Sequence, residues 1–548
     1  MKKQVWRTLF SVTLILSMGL SGCNLFSKDE DSENTNGFMS VEAPDCNYGG
    51  EIKSVQAVDA YTVKFTLCAP DVSFPAKLTS PVLAVQDRDY LNETNGDSAK
   101  LSATVNGTGA FRVKDQGEDQ PLQLRVSNTY WGTPPKVTDI LVDWYDSTNG
   151  PLTSYETTVV DVANSLNNIA EDVILKNDRF SAINHDPANV VFLGFNNKYK
   201  PFDNQVVREA IAVLLDTKTL VQDNFPAGSE VATQVIPANI TPGHSKRLDW
   251  YEVRPKDAID ALGDINFDYS QKITLAYERG PKEGLTSYQS LASQIQQTLI
   301  SYGFNVQLKP LYSGDYTKAM AEGTEMMFIG MLQPQYLDGA AFYELAFERE
   351  AQMFGNTYPE IVSLLQQTQA ESSDRLRQDA FDKLNQKFKD QVPFVPIGHF
   401  SESSYVRSGN ANALANAYYE NYEDISNLAH TIQILDMDRP LSLWPADETD
   451  WNTFRVTRLL YDNLVETSFG SNEIKPALAD SWSSNSNATE WTFMLRYNIQ
   501  FSNGAALDSN DVVASFVALW DASSPNHTGR TGEFKFFRQL FGGFINEK

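Results

Sequence analysis

The chain has few of the residues that usually build metal centres. Its 548 residues include only three cysteines and five histidines. The histidines are scattered, at His185, His244, His399, His430 and His527. Zinc sites need cysteine and histidine ligands at close, characteristic spacings, and the sequence has no such cluster. It therefore predicts neither a metal site nor a cofactor.

Positive charge is also scarce. The sequence has 44 Lys and Arg residues against 70 Asp and Glu, a formal net charge of -26 at pH 7. Nucleic acids and anionic lipid surfaces would be repelled by such a charge. We therefore expect no nucleic-acid partner, and we interpret the excess acid as a solubilising surface.

Long apolar runs are missing, apart from a short one near the start. Leu9–Leu20 follows a basic segment and is too short to span a bilayer as a stable helix. With the tetrad LSGC ending at Cys23, this order is typical of a signal peptide over residues 1–22. The tetrad resembles a bacterial lipobox, which implies acylation of Cys23 and anchoring at the extracytoplasmic face of the cell membrane. An ordinary secretory signal with a chance cysteine is the alternative.

The segment after Cys23 also lacks large apolar side chains. Residues 27–37 read SKDEDSENTNG and cannot bury enough surface to fold. We therefore predict a disordered tether over residues 23–43. The rest of the chain, within a sequence that is 42% hydrophobic, is long enough to build two or more lobes.

Two cysteines remain once Cys23 is assigned to the anchor. Cys46 precedes a glycine-rich turn, and Cys68 ends an alternating, strand-like run. Because an exported protein meets oxidising conditions, we predict a disulfide between them. Two free buried thiols are the alternative.

Motifs for catalysis are absent from the sequence. It contains no HExxH, GxSxG or Walker-type loop, and carboxylate pairs carry no information in so acidic a chain. We therefore expect no catalytic residues and a protein that is not an enzyme.

Several short segments are informative together. Asn106–Phe111 reads NGTGAF, and Ser127–Gly132 reads SNTYWG. Near the other end, PALADSW begins at Pro476 and DSNDVVASF ends at Phe516. These segments resemble motifs of the peptide-type (family 5) solute-binding lipoproteins of ABC importers. The resemblance implies an α/β fold with two lobes, of the periplasmic-binding-protein-like type II, cluster C class.

The order of these motifs is unusual, because Pro476–Phe516 resembles a segment that the family carries near its start. We therefore predict a circularly permuted chain. A tandem duplication is the alternative, but each family element occurs once. Lobe 1 would comprise residues 44–189 and 397–548, the latter equivalent from about residue 432 to the start of unpermuted relatives, and lobe 2 residues 190–396. The C-terminal segment should then pack beside the strand Val58–Leu67.

Within lobe 2 the hydrophobic pattern predicts a crossover connection. Lys272–Tyr277 alternates as a strand, Tyr288–Tyr302 has helical periodicity, and Phe304–Leu308 alternates again. A strand, helix and strand in this order predict a parallel sheet covered by helices.

One loop departs from the family pattern. Peptide-binding members usually carry a GWxxDxxDP motif whose first acid can hold the ammonium terminus of the peptide. The matching loop here has Met331 in the tryptophan place, Gln333 and Pro334 around the first acid, and only Asp338 near the second. A buried ammonium without a carboxylate partner costs several kcal/mol. A neutral ligand is therefore a rival to a peptide bound through its free N-terminus.

The resemblance implies a monomeric receptor that captures an oligopeptide between its lobes and delivers it to the membrane subunits of an ABC permease. An oligosaccharide receptor of the same family and an anchored enzyme acting on glycans are the alternatives. Matching motif positions suggest eight ligand contacts, which are Phe111, Trp444, Asp447 and Tyr461 from lobe 1 and Asn196, Met331, Gln333 and Tyr336 from lobe 2.

Overall fold

The computed structural model describes residues 37–547, except for 118–119, 145–159, 165–175, 177, 227, 249–253, 281–286, 350, 411–412, 437 and 472. The chain forms three large sheets and one two-stranded ribbon within this part. The predicted signal peptide, Cys23 and most of the predicted tether lie outside the described residues.

The first sheet combines strands from both ends of the chain. In spatial order its five antiparallel strands are β1 (Ser40–Glu42), β2 (Ile52–Asp59), β3 (Thr62–Leu67), β20 (Glu490–Leu495) and β19 (Ala479–Ser484). On the central pair, Phe493 of β20 lies opposite Val63 of β3. The C-terminal segment therefore packs beside the strand that ends at Leu67, as predicted, although Val58 belongs to the preceding strand.

The strand β1 corrects the predicted tether. Ser40 lies opposite Gln56 of β2, and the N–H of the buried Ala43 donates to the Lys53 carbonyl at 2.9 Å. Phe38, Met39 and Val41 supply the physical reason, since these apolar side chains pack against the core. Ordered structure therefore begins before the predicted end of the tether.

A disulfide joins the loop before β2 to the end of β3. Cys46 and Cys68 are bonded, with their Cα atoms 5.6 Å apart, as predicted. The Cys68 N–H also donates to the Glu51 carbonyl at 2.8 Å, so the covalent link reinforces an existing strand pairing.

The second sheet is formed by residues 190–399. Its six strands, in spatial order, are β10 (Glu230–Val231), β14 (Phe394–His399), β9 (Val190–Phe195), β13 (Met327–Leu332), β11 (Lys272–Glu278) and β12 (Asn305–Leu311). β11 and β12 are parallel and are connected through the helix Tyr288–Ser301. The predicted crossover is therefore present.

The third sheet has seven strands. In spatial order they are β4 (Phe111–Asp115), β5 (Leu122–Val126), β6 (Asp139–Trp144), β16 (Thr431–Asp436), β7 (Val162–Ala163), β15 (Ser403–Arg407) and β8 (Phe180–Asn184). β6 and β16 are parallel neighbours, so residues far apart in the chain again share a sheet. The ribbon consists of β17 (Val465–Thr467) and β18 (Ile474–Pro476).

Helices connect and cover the sheets. The helix Ser509–Trp520 begins with a capping box. The Asp508 side chain accepts a hydrogen bond from the backbone N–H of Asp511, and the Asp511 side chain accepts one from the backbone N–H of Asp508. The helix Asp374–Gln391 buries Ala380, Leu384 and Phe388 on one face, at helical spacing. The α-helices span Phe74–Lys77, Arg88–Thr94, Ser98–Ala103, Gln205–Leu214, Thr217–Asn224, Pro255–Asp264, Tyr288–Ser301, Ser313–Glu322, Gly339–Glu344, Pro359–Ala370, Asp374–Gln391, Trp451–Thr457, Ser509–Trp520 and Lys535–Phe541.

The largest hydrophobic core is shared by the first and second sheets. It runs continuously from Phe65 and Phe74 beside the first sheet to Phe342 and Phe394 beside the second. The third sheet packs its own core around Ile140, Ile432 and Leu459. Across the described ranges, no helix is both long and apolar enough to cross a membrane.

Candidate ligand-binding site

A cavity lies where segments connecting the three sheets meet. Its empty volume is about 730 Å³, including open solvent at its mouth. Segments that border the cavity include residues 79–84 after the helix Phe74–Lys77, Gln335 after β13, residues 416–419 after β15, and residues 457–469.

Stacked aromatic rings form one wall of the cavity. The Tyr418 ring lies parallel to the Trp451 ring, with centroids 5.0 Å apart and planes at 6°. The Tyr418 hydroxyl donates to the Pro334 carbonyl at 2.6 Å. Tyr419 also packs against Trp451, at 6.1 Å between centroids. The wall is therefore rigid and is tied to the loop that follows β13.

Gln335 makes a second connection between that loop and the rest of the protein. Its Oε1 accepts a hydrogen bond from Ser80 Oγ at 2.9 Å, and its Nε2 donates to the Phe536 carbonyl at 3.1 Å. The loop after β13 is thus held against the segment after the helix Phe74–Lys77 and against the helix Lys535–Phe541.

Two motifs singled out in the sequence meet at one carboxylate in the cavity. Asp462 Oδ2 accepts hydrogen bonds from Thr108 Oγ1 at 2.8 Å and from Trp131 Nε1 at 2.9 Å. Burial raises the pKa of Asp462 to about 7 against the effect of these two bonds, and the charges of Glu466 and Glu423 raise it further. The site therefore holds an acid that titrates near neutral pH.

Arg458 also borders the cavity. Its guanidinium lies over the Tyr419 and Phe469 rings, at 5.5 and 5.2 Å from their centroids, and also faces Tyr422. One terminal nitrogen donates to the Glu420 carbonyl. In the part of the chain that the structure describes, no carboxylate lies within 4 Å of Arg458. The cavity thus contains a cation that is held by rings and a carbonyl.

Of the four contacts predicted from lobe 1, only Tyr461 lines the cavity. Phe111 and Trp444 are 2% and 1% exposed and belong to hydrophobic cores. Asp447 accepts hydrogen bonds from the Thr531, Gly532 and Phe534 N–H groups. The motifs predicted contacts with a ligand, but these three side chains instead pack against or bond to other parts of the protein.

The four contacts predicted from lobe 2 do not line this cavity either. Asn196 is fully buried, where its Nδ2 donates to the Gly323 carbonyl at 2.8 Å. Met331 is partly buried against the core of the second sheet. Gln333 and Tyr336 instead line a smaller cavity with an empty volume of about 260 Å³.

A buried cluster of charges lies beside the smaller cavity. Lys77 Nζ, with no exposed side-chain surface, is 2.7 Å from Glu51, 2.9 Å from Asp71 and 2.9 Å from Glu344. The Tyr336 hydroxyl donates to Glu344 Oε2 at 2.6 Å. Burial raises the pKa of Glu344 to about 7, while the Lys77 charge acts to lower it. The cluster joins residues that flank the first sheet to the helix Gly339–Glu344.

Among the described residues, one group of three acids is spaced closely enough to hold a metal ion, and two of its members belong to this cluster. Oxygens of Glu51, Glu344 and Glu348 lie within 4.8 Å of one another. Lys77 already pairs with two of these acids, and Arg349 bonds to Glu51. Because the amine and guanidinium neutralise these acids, we assign the group to packing between segments and not to a metal.

Sequence reasoning missed the aromatic wall and Arg458. Tyr418 and Tyr419 belong to the segment 408–431, which matches no family motif. The density of tyrosines there, with Tyr422 three residues on, was the available signal, because aromatic side chains are common in ligand pockets. Arg458 lies just after the helix Trp451–Thr457, where it could equally have faced solvent.

Comparison with known proteins agrees with this architecture. The probable ABC transporter periplasmic-binding protein SapA of Escherichia coli K12 is 20% identical over 383 residues, which is 68% of this chain and 69% of that protein. The dipeptide-binding protein of the same strain is 22% identical over 367 residues, covering 65% and 68%. Both are named as binding proteins.

Solved structures show the same fold. The structure of HbpA2 from Haemophilus parasuis superposes with a TM-score of 0.59 at 19% identity, covering 65% of this chain and 72% of that one. DppA from Helicobacter pylori in complex with the peptide STSA gives 0.55 at 20% identity, covering 66% and 71%. The fold is therefore the two-lobe α/β fold of periplasmic binding proteins.

A family model decides the membership. The model described as "Bacterial extracellular solute-binding proteins, family 5 Middle" matches residues 23–353 and 473–535, which together are more than half of the chain. This match includes residues 531–534, which contain the N–H groups that donate to Asp447. It also includes the segments that carry Thr108 and Trp131. The chain belongs to the bacterial extracellular solute-binding proteins of family 5.

Proposed function

We propose that this protein is the substrate-binding component of an ABC importer, which captures an oligopeptide in the cavity beside Tyr418 and Asp462 and delivers it to the permease. Membership of family 5 carries the transport role. The names of the relatives support the ligand class, since one is a dipeptide-binding protein and another was solved with a bound peptide.

The charges at the cavity favour a peptide over an oligosaccharide. Arg458 is a cation that, among the described residues, forms no ion pair within 4 Å. A free peptide has a carboxylate that can pair with this guanidinium, whereas a neutral sugar has none. The tyrosine wall suits both ligand classes and does not separate them.

Isothermal titration calorimetry on the pure protein tests this proposal. We expect dipeptides to tetrapeptides to bind with a Kd of about 10 μM or tighter, and cello- and xylo-oligosaccharides to give no heat. Binding of an oligosaccharide, with no peptide bound in any form, would contradict the proposed ligand class while leaving the family assignment intact.

The alternative of an anchored enzyme is not favoured by the geometry of a serine, histidine and acid cluster around His185. His185 Nε2 lies 3.2 Å from Ser404 Oγ and 3.1 Å from Glu420 Oε1. A hydrolytic triad needs the serine and the acid on different ring nitrogens. The three side chains are also buried and do not line the cavity. Hydrolysis of a peptide or glycan by the pure protein would overturn the receptor proposal.

The proposed receptor is a monomer anchored to the membrane through Cys23. The LSGC tetrad supports acylation at this residue, which is outside the described part. Mass spectrometry of the N-terminal peptide from membranes of the producing bacterium tests the anchor. A diacylglyceryl mass on Cys23 supports it, and recovery of an unmodified Cys23 thiol contradicts it.

We also propose that the chain is circularly permuted. The Glu51 N–H donates to the Phe541 carbonyl at 2.8 Å, and the Gly543 N–H donates to the Gly49 carbonyl at 3.0 Å. The C-terminal segment therefore lies beside the residues that precede β2, where an unpermuted chain would continue from one to the other. A variant that joins residue 545 to residue 51 and opens the chain before Thr431 should fold and keep its peptide affinity. If the original chain bound peptide and this variant did not, the result would contradict the permutation.

A further inference from the structure

Arg458 is positioned to bind an anion. Its Nε is shielded from solvent and has no hydrogen-bond acceptor among the described residues. The Tyr419, Tyr422 and Phe469 rings lie against its guanidinium and restrict it to the edge of the cavity. A guanidinium held in this way recognises a carboxylate through charge-assisted hydrogen bonds.

Two hydroxyl groups beside Arg458 also have no protein partner. Thr457 is 1% exposed and Tyr419 is 7% exposed, and both residues line the cavity. In the part of the chain described, neither Thr457 Oγ1 nor the Tyr419 hydroxyl forms a hydrogen bond. An unsatisfied buried hydroxyl costs free energy, and a ligand group that bonded to these two oxygens would remove that cost.

The remaining charges of the cavity restrict where an anion can bind. Asp462 and Glu466 line the cavity, and Glu423 lies close enough to raise the pKa of Asp462. These acids repel a carboxylate from their side. The space next to Arg458 is therefore the part of the cavity that is most favourable to an anionic group.

We propose that Arg458, Thr457 and Tyr419 form a subsite for the carboxylate of the bound peptide, so that the protein anchors its ligand by the carboxyl end. This inference rests on the proposed function, since it presupposes a peptide in this cavity. It agrees with the loop after β13, where Gln333 and Pro334 stand around the place of an ammonium-binding acid.

Capped peptides test the subsite directly. One tripeptide is titrated in three forms, with free ends, with an acetylated N-terminus and with an amidated C-terminus. We expect the acetylated form to bind within about threefold of the free peptide, and the amide to bind at least about tenfold more weakly, because only the amide lacks the carboxylate. Equal binding of amide and acid overturns the subsite but leaves peptide binding intact. If no form binds, the proposed function and the subsite both fail.

Two variants locate the effect. Thr457→Val removes a hydroxyl that bonds to no described protein group, so folding stability should be kept while affinity for the free acid falls about threefold or more. Arg458→Gln should abolish the difference between acid and amide. The matched control is Arg538→Gln, whose arginine pairs with the exposed Glu547. A variant that only loosened the fold would weaken acid and amide equally, and that result would contradict the proposal.

Discussion

Trp131 Nε1 donates a hydrogen bond to Asp462 Oδ2 at 2.9 Å, although the two residues are 331 positions apart in the chain. The bond fixes the segment after β5 against the segment after the helix Trp451–Thr457. It also favours the charged form of a carboxyl group whose burial favours the neutral form.

Replacing that acid should change how stability depends on pH. The pKa of Asp462 is raised to about 7 from its ordinary value of 3.8, so between these values the folded state holds a proton that the unfolded state has lost. Wild-type stability therefore falls as pH rises from about 4 to 7. Asp462→Asn keeps a hydrogen-bond acceptor and removes this effect.

We expect Asp462→Asn to match the wild type near pH 4 and to gain about 1 to 2 kcal/mol over it at pH 8, a reduced value that allows for the partial solvent exposure of the group. Urea denaturation at a series of pH values measures the difference. A constant difference at all pH values would show that Asp462 titrates normally in the folded state.

Removing the buried amine of Lys77 should destabilise the protein strongly. Lys77→Met leaves the carboxylates of Glu51, Asp71 and Glu344 without their shared cation. The expected loss is about 3 to 5 kcal/mol, measured by urea denaturation. Lys256→Met is the control, since Lys256 pairs with Asp260 on the surface, and it should cause no measurable change. Equal effects of the two substitutions would refute the role of the buried cluster.

Breaking the disulfide should lower stability without changing the ligand preference. The Cys46–Cys68 bond closes a loop of 22 residues, and the Cys46→Ser, Cys68→Ser double variant should lose about 3 kcal/mol in the chain-entropy account. Differential scanning calorimetry in the presence and absence of reductant measures the loss. If reductant lowered the Tm of the double variant as much as that of the wild type, the loss would not come from this bond.

The motif and the structure predict different effects for a substitution of Asp447. The sequence suggested a ligand contact, but its carboxylate binds the N–H groups of Thr531, Gly532 and Phe534. Asp447→Ala should therefore cost about 2 to 3 kcal/mol of stability. Its peptide Kd, corrected for the folded fraction, should not change. A large rise in Kd with little loss of stability would restore the direct contact.

The local hydrophobic patterns of the sequence predicted the fold well, because their period indicates which faces of strands and helices are buried. The alternation in Lys272–Tyr277 and Phe304–Leu308 and the helical period between them indicated the parallel pair β11 and β12. The disulfide followed from two cysteines in an exported chain. Family motifs indicated the two-lobe fold and the return of the C-terminal segment to β3.

The site was harder to predict, because a motif does not determine the direction of a side chain. Trp444 stands next to Pro445, which lines the cavity, yet its own ring is buried against Phe534. Tyr418 became part of the wall only through its stacking on Trp451 and its bond to the Pro334 carbonyl. These are contacts between distant segments, which leave no periodic signal in the sequence.

The pairing of β3 with β20 also affects how the protein can be made. Thr62 and Met494 are 432 positions apart and are in contact across this pair. During synthesis, β3 can therefore pair with β20 only after almost the whole chain has been made. Such long-range pairing makes folding slow and leaves an apolar strand exposed for longer.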